Sequence, residues 1–131
     1  MIVLDASALI AYLDRNDAHH SRALEHLLAH AGAPLGTNPI TLSEVLVGPA
    51  RQGSVHEAYA ALDALGVESF PLPVNAAERL AALRAETALK LPDCCVLLTA
   101  EMVGGVVLTL DERLAGAARR LGLGLSEDPA T

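Results

Sequence analysis

Aromatic residues are almost missing from this chain: 131 residues hold one phenylalanine, two tyrosines and no tryptophan. Since 52% of the residues are hydrophobic, a folded core is still expected, and it must be built from Leu, Val and Ala. Lysine is as scarce. Lys90 stands alone beside eight arginines, no basic run occurs, and the net charge is −7. A surface of that sign repels polyanions, which disfavours a protein that passively coats DNA or RNA. A nuclease passes this filter only if metal ions reverse the local charge. Cysteine occurs twice, at the adjacent positions Cys94 and Cys95. Adjacent cysteines do not form an ordinary structural cross-link and lack the C-x-x-C spacing of a metal site, so they are read as reduced, buried thiols of a cytoplasmic protein. A membrane span is not expected either. The most apolar long stretch, residues 94–110, carries Glu101 and Gly104-Gly105, and no basic segment precedes Ile2-Val3-Leu4 to suggest a signal peptide.

What remains is enough for one domain over residues 1–131, since a domain takes ~100–200 residues. Ile2-Val3-Leu4 reads as a buried strand ended by Asp5, which caps a helix to about Leu13. A second helix spans His19 to His30, with Ala23, Leu24, Leu27 and Leu28 on one face. Ala31-Gly32-Ala33-Pro34 ends it, and 35–37 has room for a very short strand. Thr41-Leu42-Ser43-Glu44 has the form of a capping box, so a helix is expected from Thr41 to about Val47, interrupted by Gly48-Pro49. Further helices are expected at Val55–Leu65 before Gly66, at 75–90, at Asp93–Val103 after Pro92, and at Glu112–Leu121. Strands are expected at Val67–Leu72 and Val106–Leu110, and a polar tail follows Leu125. Strands alternating with helices favour a parallel sheet covered on both faces, an α/β/α sandwich.

Open parallel sheets carry their sites beyond the carboxyl ends of the strands. Two expected strands run directly into aspartate, at Asp5 and Asp111, although helix capping alone would also account for both. Asp93 is harder to explain that way. It precedes Cys94-Cys95-Val96-Leu97-Leu98 and lies over Val96, Leu97 and Ala100, the inward side of a helix apolar nearly all round. A carboxylate there is costly unless it caps the helix or meets a cation. Glu44 points away from the apolar stripe of Leu42, Val45 and Leu46, as a capping or solvated residue does. Brought together, carboxylates of this kind hold Mg²⁺ or Mn²⁺, hard cations that prefer oxygen. Two such ions can activate a water, neutralise a phosphodiester and stabilise its leaving oxygen.

Ile2-Val3-Leu4-Asp5-Ala6-Ser7, Leu42-Ser43-Glu44-Val45, Leu91-Pro92-Asp93 and Leu108-Thr109-Leu110-Asp111 resemble, in order and position, the four acidic motifs of PIN-domain proteins. In size and spacing the chain is similar to the VapC toxins of type II toxin–antitoxin pairs, over nearly its whole length. The resemblance implies a three-layer α/β/α sandwich with a mostly parallel sheet. It also implies a Mg²⁺- or Mn²⁺-dependent endoribonuclease that leaves 5′-phosphate and 3′-hydroxyl ends. Asp5, Glu44, Asp93 and Asp111 would be the catalytic, metal-binding acids, with Asp111 in second rank because that position varies in the family. Ser7 and Thr109 would support Asp5. Cys94-Cys95 after Asp93 departs from the smaller residues usual there. A homodimer and a VapB-type antitoxin that blocks the acids with a basic side chain are the implied partners, and −7 suits a basic one.

Arg113, two residues after Asp111, is the arginine singled out for RNA contact. The others, Arg22 among them, are weighed against ordinary solvated helix charge, and His26 and His30 are read as surface residues. Leu24, Leu27, Leu28, Leu62 and Leu65 belong either to the core or to an interface. The alternative function is a catalytically silent PIN-like binding protein. A receiver-like phospho-acceptor would want paired acids after the first strand and a late lysine, and an aspartate-nucleophile phosphatase would want a second aspartate where Ser7 stands.

Overall fold

Ile2, Val3 and Leu4 are apolar on both faces of a pleat, a pattern that only a strand covered from both sides satisfies. They form β1 (Ile2–Leu4), and all three are buried. The computed structural model describes residues 1–125. After β1 come α1 (Ala6–Leu13), α2 (His20–Ala29), β2 (Leu35–Thr37), α3 (Pro39–Val45), α4 (Val47–Gln52) and α5 (Val55–Leu65). They are followed by β3 (Val67–Ser69), α6 (Ala76–Thr87), α7 (Leu91–Val103), β4 (Val106–Leu108) and α8 (Glu112–Arg120). The polar tail expected after Leu125 lies outside the described residues.

The strands form one four-stranded sheet in the order β3-β2-β1-β4, and every pairing is parallel. Alternate residues of β1 and β4 face opposite layers. Val3 and Val107 pack with Leu83, Leu97 and Leu114 of α6, α7 and α8. Ile2, Leu4 and Leu108 pack with Leu9, Leu42, Val45 and Leu62 of α1, α3 and α5. The α/β/α sandwich read from the alternation is therefore the observed fold. Register matters most for the site: Leu4 pairs with Leu108, so the residues that follow, Asp5 and Thr109, emerge side by side at the carboxyl edge. At Gly36 in β2 an added Cβ would lie 2.9 Å from both Met1 Sδ and a Phe70 ring carbon, so the close approach there requires glycine.

Several local expectations need correction. α3 begins at Pro39, not Thr41, because Asn38 accepts the Thr41 N–H through Oδ1 at 2.9 Å and so is the cap. The Thr41–Glu44 capping box therefore does not form, and Thr41 is fully buried inside the helix. Gly48-Pro49 does not interrupt a helix but lies in the first turn of α4, where the N–H that proline lacks has no helical partner to lose. Pro92 likewise lies inside the first turn of α7, which starts at Leu91. β3 and β4 stop at Ser69 and Leu108, short of Leu72 and Leu110. Beyond β4, Gly124 makes an isolated parallel bridge to Val107, a pairing the sequence pattern did not suggest.

Leu62 is core and Leu27 packs against it, Leu24 and Leu65 are partly covered, and Leu28 is 74% exposed. Cys94 and Cys95 are free thiols in the fully buried stretch 94–100 of α7, and burial, the leading cause, raises both pKa values. Both thiols should resist a thiol-labelling reagent in the native protein and react on addition of denaturant. Rapid labelling of the native state would contradict the placement of α7. Among the described residues no helix is long and apolar enough to cross a membrane.

Candidate active site

Asp5 is the last residue before α1 and caps it, accepting the Ala8 N–H through Oδ1 at 3.0 Å. Capping accounts for one bond only. Ser7 Oγ donates to the same carboxylate at 2.8 and 2.9 Å from its two oxygens, and Thr109 Oγ1 donates to Oδ2. The direction of these donations is dictated by the backbone. Ser7 Oγ accepts the Leu110 N–H at 3.1 Å, and Thr109 Oγ1 accepts the Asp111 N–H at 3.0 Å. Each hydroxyl spends a lone pair on a fixed amide, which leaves its own proton for Asp5. The two motifs are thus tied into one unit across the β1–β4 pairing.

Asp5 is only 4% exposed. Burial, the largest influence, raises its pKa, against the hydrogen bonds from Thr109, Ala8 and Ser7, and the charge of Asp111 adds to the rise. Asp93 stands in the first turn of α7, partly exposed. Its pKa is also raised, first by burial and then by the charges of Asp111, Asp5 and Glu44, with Lys90 opposing them. Asp93 thus lies within electrostatic reach of the other three acids named from the sequence. The four come from the end of β1, the last turn of α3, the start of α7 and the turn after β4.

The structure places them unequally. Asp111 is exposed, and its Oδ1 accepts the Arg113 N–H at 2.9 Å as the cap of α8. Glu44 is exposed and serves no cap. Arg113 is exposed in the first turn of α8. Beneath the acids lies a polar layer that the sequence reading missed. Asn38 Nδ2 donates to Thr99 Oγ1 at 3.1 Å, Thr99 donates to the Cys95 carbonyl at 2.8 Å, and Thr37 Oγ1 donates to the Leu4 carbonyl at 3.2 Å. Thr41 Oγ1 is buried there without a partner. Asn38-Pro39 was the available signal, being a preferred cap residue followed by proline at the first helical position.

Two cavities border the acids. One of about 550 Å³, between α1, α3, α4 and α5, has Glu44 on its wall. The other, of about 780 Å³, is lined by Thr109 and Asp111 and reaches across to α2.

The donor set is made of carboxylate oxygens, which suits Mg²⁺ or Mn²⁺. Asp5 accepts four hydrogen-bond contacts from three donors, Ser7 reaching both oxygens, so an ion bound there would share those oxygens with the donors. Among the described residues no three carboxylate, imidazole or thiolate groups are drawn close enough to enclose an ion. The like charges that add to the raised pKa of Asp93 are what a divalent cation would relieve.

The PIN domain family model matches residues 2–120. A solved toxin–antitoxin complex from Klebsiella pneumoniae contains a chain 30% identical to this one, with a TM-score of 0.70, covering 88% of this chain and 92% of that one. VapC20 of Mycobacterium tuberculosis, a toxin that cleaves the sarcin–ricin loop, is 18% identical with a TM-score of 0.73, covering 89% and 95%. PAE2754 of Pyrobaculum aerophilum is 21% identical with a TM-score of 0.60, covering 95% and 87%. These last two bear on the fold alone. No curated protein matches the chain.

Proposed function

The chain belongs to the PIN domain family, and from that premise we propose that it is a metal-dependent endoribonuclease acting as the toxin of a toxin–antitoxin pair. The observation that carries this reading is that Asp93, its pKa raised first by burial, also lies within electrostatic reach of Asp111, Asp5 and Glu44. Asp5, Glu44 and Asp93 would hold Mg²⁺, or Mn²⁺ in its place, with Asp111 assisting. The ion would supply an activated water and neutralise charge on the phosphodiester. Ser7 and Thr109 keep the Asp5 carboxylate in one orientation, and Lys90 offsets part of the local negative charge. Hydrolysis adds water across the bond from phosphorus to the 3′ oxygen, so the products carry 5′-phosphate and 3′-hydroxyl ends. Arg113, exposed in the first turn of α8 two residues after Asp111, is the arginine proposed to meet the RNA.

The partner proposed is a VapB-type antitoxin. The 550 Å³ cavity offers Ile10, Leu13 and Val45 as apolar wall and Asp14, Glu44 and Glu57 as charge. That combination suits an amphipathic segment with basic side chains, and one reaching Glu44 would sit against the acids. The net charge of −7 steers such a segment inward. A homodimer is proposed as the assembly, with the exposed Leu28 available to a second copy, and the cytoplasm as the setting, in keeping with two free thiols.

The test is incubation with total cellular RNA in Mg²⁺ or in EDTA, with new 5′-phosphate ends mapped, beside an Asp5→Asn variant. Discrete cuts that need the ion and vanish in the variant are expected. A folded, antitoxin-free sample that makes no cuts would favour a silent binding protein. Cuts that survive Asp5→Asn would refute the acidic mechanism.

A further inference from the structure

A polyanionic substrate that approaches four acids on a protein of charge −7 needs positive charge along its way in. The α2 wall of the 780 Å³ cavity carries such a charge at Arg22, while Asp111 and Glu112 line the cavity from the side of α8. One side is the site itself, with Thr109 and Asp111; the other is α2, with Arg22, His26 and His30. These three are spaced by four residues, so they form a single stripe, one side chain every ~6 Å along the helix axis. The spacing suits successive phosphates of an extended strand. His30 Nδ1 donates to the His26 carbonyl at 2.9 Å, which fixes that ring and leaves its Nε2 facing outward from the bond. Among the described residues neither the Arg22 nor the His26 side chain has a hydrogen bond or ion pair. At the far end of the cavity Arg119 lies against Gly124, where an added Cβ would sit 2.5 Å from Arg119 Cγ.

We propose that this cavity is the path of the substrate's backbone: Arg22 and His26 bind phosphates of a single-stranded or looped RNA and lead the strand past Asp111. The proposal rests on the ribonuclease reading above. The concave shape decides against a duplex, because double-stranded RNA presents a wide, shallow face that does not enter a pocket, whereas an unpaired strand does.

The test is fluorescence anisotropy of a labelled single-stranded RNA that the wild type cuts, with Asp93→Asn as the non-cutting background and salt as the variable. Arg22→Ala should weaken binding several-fold and lower the slope of log K against log salt by about 0.7, the value of one phosphate contact. In the cutting protein it should raise KM and leave kcat unchanged. Arg22→Lys should restore most of the loss, and His26→Ala should weaken binding less than Arg22→Ala. Arg51→Ala, which removes the same charge from α4, outside the lining of this cavity, should change neither quantity. Equal effects of Arg22→Ala and Arg51→Ala in a protein that still cuts RNA would overturn the path and leave the ribonuclease reading standing. A wild type that neither binds nor cuts RNA would overturn both, and equal affinity for a duplex of the same sequence would refute the single-strand assignment.

Discussion

Replacing Asp93 by asparagine should raise the melting temperature of the metal-free protein at neutral pH while lowering RNA cleavage by at least about 100-fold, the upper range for groups that merely support a metal ligand. The opposite signs have one cause. A carboxyl whose pKa is raised by the fold contributes its full stability below the ordinary value of 3.8, and loses it as pH rises through the raised value. At neutral pH the charged Asp93 is therefore a cost, made of burial and the repulsion of Asp111, Asp5 and Glu44, which outweighs the attraction of Lys90. Asparagine removes the charge and keeps the shape. Scanning calorimetry of both proteins in EDTA should show the gap in melting temperature at neutral pH and its closing near pH 4 and below. With Mg²⁺ added, the wild type should gain stability by ligand linkage and the variant should gain less. A variant that melts lower than the wild type at neutral pH and still cleaves would contradict the account twice over.

Thr109→Val should cost about 10- to 100-fold in cleavage, although valine nearly matches threonine in volume and the residue touches no substrate atom in this account. The hydroxyl does two jobs that a methyl group cannot: it donates to Asp5 and accepts the Asp111 N–H. Losing it frees Asp5 to rotate and raises the Asp5 pKa further, since the Thr109 hydrogen bond is the strongest influence holding it down. Half-maximal activity should then require more Mg²⁺. Ser7→Ala should act in the same direction, and the double variant should lose less than the product of the two, because the hydroxyls lie 3.3 Å apart and serve one carboxylate. A structural role alone would lower the melting temperature without moving the Mg²⁺ dependence. Unchanged Mg²⁺ dependence in Thr109→Val would therefore rule out the positioning role.

Much of the architecture was legible in the sequence because a few segments admit one reading. Ile2-Val3-Leu4 is too short and too uniformly apolar for anything but a covered strand, and the stretch from Cys94 to Ala100 has no polar face to expose, so α7 had to be buried. Asp93 stood out because it was charged in that company. Errors came where two local signals competed. Thr41 and Glu44 have capping-box spacing, yet Asn38-Pro39 captures the helix start three residues earlier. Gly48-Pro49 looks like a break and is instead a first turn, where neither residue is at a disadvantage.

The site was less legible than the fold, for a different reason. Periodicity shows Glu44 pointing away from its own core stripe, and it does; that this direction brings its charge to bear on Asp93 depends on the packing of α3 near α7. Only the resemblance among motifs grouped the acids in advance. Arg22, His26 and His30 carried their four-residue spacing in plain view, but nothing local indicates that α2 faces the turn after β4. The layer of Asn38, Thr99 and Thr37 escaped notice because small polar residues in a sequence look the same whether they cap, line a site or face water.

Asp5, Glu44 and Asp93 are proposed to form one divalent-cation site, and an ion there would offset the like charge that bears on Asp93. Calorimetric titration with Mn²⁺ at several pH values from about 4 to 7, in two buffers of different ionisation enthalpy, measures both affinity and protons released. The wild type should bind Mn²⁺ and release protons, because carboxyls with raised pKa values are driven to ionise by the metal. Asp93→Asn should bind far more weakly and release fewer. Identical affinity and proton release in the two proteins would mean that Asp93 faces no metal, and the site described here would not be the one that works.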